Sequence, residues 1–597
     1  MSSNPATKKT TVHVVRAARK PLYERWQDWV YEMEGGRGGG LFRVGMFFVL
    51  VLLVIVVYTG TQFYGLRDAE VMNYGQLARN IARGEGYVTR VVRPAAIGHY
   101  KALGATPLHP QTATQPDLFT PPGYPYLLAA IFKVVRPNFD IAPGIRTVRA
   151  DRLLMIIGWG SFMVGLVLVY LLAREMFDHR VAVLSCFLFL FCDGLLDAAV
   201  SGLELNWLGV LFLLSAFGVI KAEKWVSDER HPAWSYVALA ISALAVAVGS
   251  LTRYPMAVLV LPLVVYVGVS FPRDRWLRMG LVVLVFALMW APWLARNWKV
   301  SRTWFGLNRY VLFEGTGRNT PSEIAPGQLQ RTLSPEIPRR APIILVRQGL
   351  LNLHTVYRET VKDVGANYVI AFFLVSLLHR WRRDEVYRLR RYVFWSLLFL
   401  VAALCVGGGT GGPRNFLIVL MPVMVVYAAA FFYVLFERLQ LRTRLMRAAV
   451  VGTFVSLNAL PVVYTVLPPA TTLPYPPFDG GVCAAVARLF REDALLSSDI
   501  PWAVAWYGDR SCVWIPTNEK DYLLINDGVR FIAAVYLTQA TYLEMSAIDL
   551  MRGKNPFLMR LFQPPPPPNF PLRQIEAVTP DGQQVLLSNR VVPGVSR

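Results

Sequence analysis

Long apolar runs alternate with short basic loops along most of this chain. A helix rises 1.5 Å per residue, so about 20 apolar residues cross the hydrocarbon core of a bilayer. Eleven runs approach that length: 41–64, 151–174, 180–200, 204–221, 234–252, 254–271, 277–297, 364–380, 390–408, 414–436 and 445–467. The regions 180–221 and 234–271 read as hairpins closed by the short turns SGLELN and TRYP. The short loops sort by charge. With the amino terminus inside, the inner loops hold Arg174, Arg180, Lys221, Lys224 and Arg230, then Arg273, Arg275 and Arg278, then HRWRRDEVYRLRR and ERLQLRTRLMR. The short outer loops carry few basic residues. Cytoplasmic loops collect Lys and Arg, so the amino terminus is expected in the cytoplasm and the carboxyl tail outside.

The tail leaves the last run through PPATTLPYPP. Within it LLSSD, WAVAWY, SCVWIP and FIAAVYL read as short buried strands between turn signals, with a helix AAVARLF after Cys483. The expected fold class is an all-α polytopic membrane bundle of about 11 transmembrane helices with a small C-terminal α/β extracytoplasmic domain. The expected divisions are a cytoplasmic basic tail at 1–40, a transmembrane domain at 41–467 and a soluble domain at 468–597. The transmembrane domain has a first outer loop at 66–150 and a large outer loop at 298–363. PPPPP at 564–568 reads as a stiff polyproline II spacer.

Composition agrees: 54% of residues are hydrophobic and 17% charged, against about 25% charged in soluble domains. The net charge of +22 sits mostly between apolar runs, where topology accounts for it, so nucleic acid is not an expected partner. No Cys and His spacing suits a metal. No metal is expected, and no cofactor is required, although the chemistry leaves room for a divalent ion.

Candidate chemistry gathers at the outer ends of the runs. The first run is followed by Asp68 and Glu70, which open a helical segment to Arg83 with Tyr74, Leu77, Ala78 and Ile81 on one face. Such a segment would lie in the headgroup plane and hold both acids at the bilayer edge. A helix dipole alone favours one acid there. TPPGYP, 120–125, places Tyr124 at the start of a second short apolar helix. Glu204, Arg253, Arg296 and Arg414 fall on outer ends of other runs. Three arginines and up to three acids at one face suit an anionic headgroup, because the guanidinium fork bonds two phosphate oxygens at once. Snorkelling to lipid headgroups accounts for any one arginine taken singly.

The ordered set EVMNYGQLARNIARGEGY, TPPGYPYLL, DAAVSGLELNW, SLTRYPMAVLVLPL, APWLARNW and PRNFLIVLMPVM resembles bacterial glycosyltransferases of the GT-C fold. It is similar in particular to the glycosyltransferase 39 group, with protein O-mannosyltransferases and the aminoarabinose transferase of lipid A. The resemblance covers residues 41–436 and the tail more loosely. It implies the bacterial inner membrane, an outer-face site, a polyprenyl-phosphate sugar donor and a catalytic acid in the first outer loop. The acid is Asp68 or Glu70, with Asp68 favoured. Arg253, Arg296 and Arg414 then meet the donor phosphate, and Tyr74, Tyr124 and Glu204 line the pocket or the acceptor site. Membrane lipids are partners, and the acceptor is a lipid, glycan or protein. The rival readings are a lipid or glycan flippase and a non-catalytic envelope scaffold. In the external tail, Cys483 and Cys512 are expected to form a disulfide, with two independently buried thiols as the alternative.

Overall fold

The computed structural model describes residues 37–141, 148–227, 232–314, 327–337, 341–355, 367–407, 413–467, 479–540, 556–562, 566–568, 570–577 and 584–589. The basic tail at 1–36 and the first two residues of the proline run, 564 and 565, lie outside them, as does the side chain of Arg414. The chain divides into two units, Met1–Gly60 and Thr61–Arg597. In the first, the helix that starts at Arg37 is apolar and largely exposed, with Phe48, Val49, Leu52 and Val56 each more than half accessible. Such a helix is stable in lipid, not in water.

The rest concerns the second unit. Among the described residues of the whole chain, eight helices are long and apolar enough to cross a membrane, or nine with the bent pair His179–Leu190 and Asp193–Ser201 counted as one span. The two remaining runs form shorter apolar helices among the described residues, Tyr254–Ser270 and Tyr368–Leu378. The first of these begins as a 3-10 turn over Tyr254–Leu259, where Pro255 interrupts the regular backbone ladder.

The tail and the first outer loop build one sheet together. The strand order is 91–92, 512–514, 495–498, 532–537, 585–588, 574–577. Val91 pairs in parallel with Cys512 and Val92 with Val513, so a two-residue strand from the outer loop closes one edge of the tail's sheet. The central strands are parallel, and the last two pairings are antiparallel. Three of the four expected strands are present. The fourth, WAVAWY, is instead a helix, Pro501–Gly508. It connects two parallel neighbours, which a tight turn cannot do, and it starts on a proline at a favoured position. It ends on Asp509 in a left-handed conformation, φ +50°.

Cys483 and Cys512 are both free and fully buried, so the expected bridge is absent in this structure. Each sulfur faces its own acceptor: Cys483 lies 4.0 Å from the Tyr536 hydroxyl and Cys512 3.8 Å from the Val513 carbonyl. Burial pushes the Cys483 thiol up to about 12, which keeps it protonated and inert.

Candidate active site

The expected first-loop helix forms at Ala69–Ala82 with Asp68 as its N-cap residue. It is not a surface helix: Val71 to Asn80 are all buried. Its amides knit the loop beneath it. Asn73 donates to Thr120 Oγ1 at 2.9 Å, Gln76 to Thr89 Oγ1 at 2.8 Å, and Asn80 to the Val88 carbonyl at 2.8 Å. Glycines let the neighbouring motifs close on it. A Cβ on Gly123 would lie 2.8 Å from the backbone nitrogen of Thr252, so TPPGYP packs directly on LTRYP. Tyr124, in the same motif, is buried and donates to the Gly202 carbonyl at 2.9 Å. Its ring meets Tyr74 edge-on at 5.5 Å.

These contacts converge on an acid-rich cluster. Arg253 donates one Nη to Glu70 Oε2 at 2.6 Å, and its Nε forms an ion pair with Glu204 Oε1 at 3.3 Å. Its guanidinium also faces the ring of Phe416 at 5.5 Å, which brings in the PRNF segment. Glu204 is completely buried, and neither of its carboxylate oxygens has a hydrogen-bond partner among the described residues. Beside it, Arg67 pairs with Asp197 and lies 3.5 Å from Asp68. Four carboxylates, Asp68, Glu70, Asp197 and Glu204, thus share two arginines.

Asp68 is half-buried and perturbed by its surroundings. Burial raises its carboxyl, Arg67 opposes that, and Asp197 and Glu70 raise it further, to about 6. Its Oδ2 is buried without a hydrogen bond. Burial and the nearby Glu204 and Glu70 charges push the Tyr74 phenol well above its usual range, so it stays protonated. Among the described residues no group of three or more His, Cys, Asp or Glu is placed to hold a metal ion.

The other expected residues are placed differently. Arg296 spends its guanidinium on backbone, donating to the Asp117 carbonyl at 2.6 Å and the Tyr87 carbonyl at 3.3 Å. It is flanked by the rings of Tyr87 and Trp293 at 5.3 and 5.0 Å. It touches none of the four acids directly, but Tyr87 is within electrostatic reach of Tyr74.

A second ionic junction fixes the helix from behind. Arg79 is only 1% exposed. It donates to the carbonyls of Trp506 and Ala505 at 2.8 and 2.6 Å and pairs with Asp509 at 2.8 Å. Arg83 and Arg90 reach the same carboxylate at 2.7 and 3.1 Å. Burial alone would raise Asp509, but Arg79, Arg90 and Arg83 outweigh it and hold its carboxyl below the usual range. Trp506 and Tyr507 also bond Asp151 at 2.8 and 2.9 Å, at the start of the span Arg149–Met176. Asp197, Arg67 and Asp509 were not among the expected site residues. Asp197 lies inside the quoted DAAVSGLELNW motif, where a lone acid in an apolar run was the available signal.

A family model described as dolichyl-phosphate-mannose-protein mannosyltransferase matches residues 120–295. No curated protein sequence matches the chain. Among solved structures, ArnT from Cupriavidus metallidurans bound to undecaprenyl phosphate is similar, with a TM-score of 0.53 at 12% identity. That match covers 93% of this chain and 99% of that one. Its apo form is similar at 0.51 and 13%, covering 91% and 98%. The oligosaccharyltransferase of Archaeoglobus fulgidus tethered with an acceptor peptide has a TM-score of 0.52 at 13% identity, covering 85% of this chain and 71% of that one. On these likenesses, the chain is a multi-pass membrane protein of the GT-C fold.

Proposed function

We propose that the protein is a membrane glycosyltransferase that moves a sugar from a polyprenyl-phosphate donor to an envelope acceptor, a lipid, glycan or protein. The observation that carries this reading is the convergence of Glu70, Glu204 and Arg253 from three distant motifs at one end of the bundle. Structures of similar fold add weight: one is described with undecaprenyl phosphate and another with an acceptor peptide. Under the charge-sorted topology that end faces outward from the bacterial inner membrane, with the amino terminus in the cytoplasm.

The geometry supports a division of labour between the two loop acids. Glu70 is engaged by the Arg253 guanidinium at 2.6 Å. Asp68, raised to about 6, is close to the operating pH, where a general base works best. In this mechanism Asp68 takes the proton of the acceptor hydroxyl as its oxygen attacks the anomeric carbon, with inversion. The bond to the lipid phosphate breaks on the opposite side. Arg253 orders Glu70 and Glu204 through Nη and Nε. Its second Nη has no partner among the described residues and is the edge that meets a phosphate oxygen. Arg296 holds the Tyr87 and Asp117 backbone and would reach the phosphate only by giving up those bonds.

The test is purified protein in proteoliposomes with a synthetic polyprenyl-phosphate sugar and membrane-extract acceptors. Transfer predicts a labelled acceptor together with free polyprenyl phosphate. Donor that crosses the bilayer intact, with no labelled acceptor, would establish the flippase reading instead.

A further inference from the structure

The bundle has a polar concavity at the end opposite the acid cluster. The span Arg149–Met176 joins the two ends. Asp151 near its start bonds the tail helix, and Met176, its last residue, lines the concavity. A helix of 28 residues extends roughly 40 Å. The cavity of about 690 Å³ lies among the ends of four spans and the HRWRRD loop.

Its charge is lopsided. Arg380, Arg382, Arg383 and Arg438 line it, against two carboxylates, Asp178 and Glu437. Asp178 is already occupied, its Oδ1 capping a helix through the Val181 amide at 2.8 Å. Arg383 gives one Nη to the Met176 carbonyl at 3.1 Å. Arg380 and Arg382 have no ion-pair partner among the described residues. His379 adds no charge: partial burial, with Arg438 and Arg390 nearby, holds its imidazole below the usual range. Trp381 stands edge-on to His379 at 4.8 Å, and the remaining wall is largely aliphatic.

Charge sorting across the membrane accounts for arginines on this face. It does not account for four of them converging on a cavity with one half apolar. Phosphate diesters and monoesters fit such a wall, because the fork of arginine bonds two oxygens at once. We propose that this cavity binds the phosphate of an anionic lipid headgroup, with the arginines on the phosphate and the Trp381 side against the glycerol and upper acyl chains. The site is separate from the transfer chemistry and does not depend on it.

Full-length protein purified with phosphatidylglycerol or with phosphatidylcholine tests this by native mass spectrometry of retained lipid. Wild type is expected to keep phosphatidylglycerol selectively. The triple variant R380Q/R382Q/R438Q should lose it, with affinity down on the order of 100-fold from three surface charges. Excess inorganic phosphate that leaves the lipid in place identifies the headgroup as the ligand. Displacement by phosphate alone keeps the anion site but assigns it to a soluble phosphate. Unchanged retention of phosphatidylglycerol by a folded triple variant overturns the proposal. If that variant does not fold, wild type alone decides. Equal thermal stabilisation by phosphatidylglycerol and phosphatidylcholine overturns the proposal, and selective stabilisation by phosphatidylglycerol upholds it.

Discussion

Two ionic clusters lie on the same short helix, and they are built in opposite ways. At its start, four carboxylates share two arginines, and Glu204 Oε2 and Asp68 Oδ2 are buried without hydrogen bonds. On its far side, three arginines share one carboxylate, and Arg79 also fills two backbone carbonyls at the end of the tail helix. The first cluster carries an excess of carboxylates and shifts Asp68 toward neutrality. The second carries an excess of arginines and lowers Asp509. Like charges crowded in a buried site cost stability, so an acid-rich cluster persists where chemistry uses it. The arginine-rich junction holds the reactive helix in place.

The largest effect should come from the base. Asp68→Asn is expected to lower kcat by about 10²–10⁴, the range for a general base, with thermal stability unchanged or raised. Arg253→Gln should act on both quantities. It leaves Glu204 buried without its cation, which costs about 3 kcal/mol. Glu204→Gln added to it should restore much of that stability in a thermal melt but not the activity. Failure of that rescue would show that Arg253 is not there to neutralise Glu204.

Asp509→Asn sharpens the contrast from the other side. It weakens the hold on Arg79, and a loss of about 2 kcal/mol is expected, below the full cost of breaking a buried pair because Arg79 keeps its carbonyl bonds. At temperatures where the variant is folded, its kcat should match wild type. A large fall in kcat without loss of stability would move this junction into the active site. The same carboxylate gives a pH signature. Its folded pKa is depressed, so its stabilisation is present above the ordinary carboxylate pKa and lost as pH falls through the lower, folded value.

The smallest effect is the pH profile of the reaction. With Asp68 near 6, kcat should rise with pH through about 6 and then level off. Stability runs the other way. The raised pKa favours the protonated carboxyl in the folded state, a contribution present below about 4 and lost as pH rises through 6. A profile flat from pH 5 to 7 would remove Asp68 from the proton transfer.

The sequence made some of this contrast legible. Hydropathy located every apolar run, because lipid demands continuous apolar length. Loop charge then put Glu70, Glu204 and Arg253 at one end, and the structure joins them. Arg79 carries no local signal of its role: the tail's helix covers it, a contact 426 residues away along the chain that no local pattern carries. Val91–Val92 joins the tail's sheet for the same reason: a two-residue strand has no periodicity to read. WAVAWY has the composition of a strand, and only the parallel pairing on either side of it explains the helix.

The central claim is that the first-loop acids drive sugar transfer. The direct measurement is turnover of a synthetic polyprenyl-phosphate sugar by purified wild type, Asp68→Asn, Glu70→Gln and the double variant, each checked for folding. The account predicts near-complete loss in Asp68→Asn and in the double variant, with a smaller loss in Glu70→Gln. Full transfer by the folded double variant would contradict it.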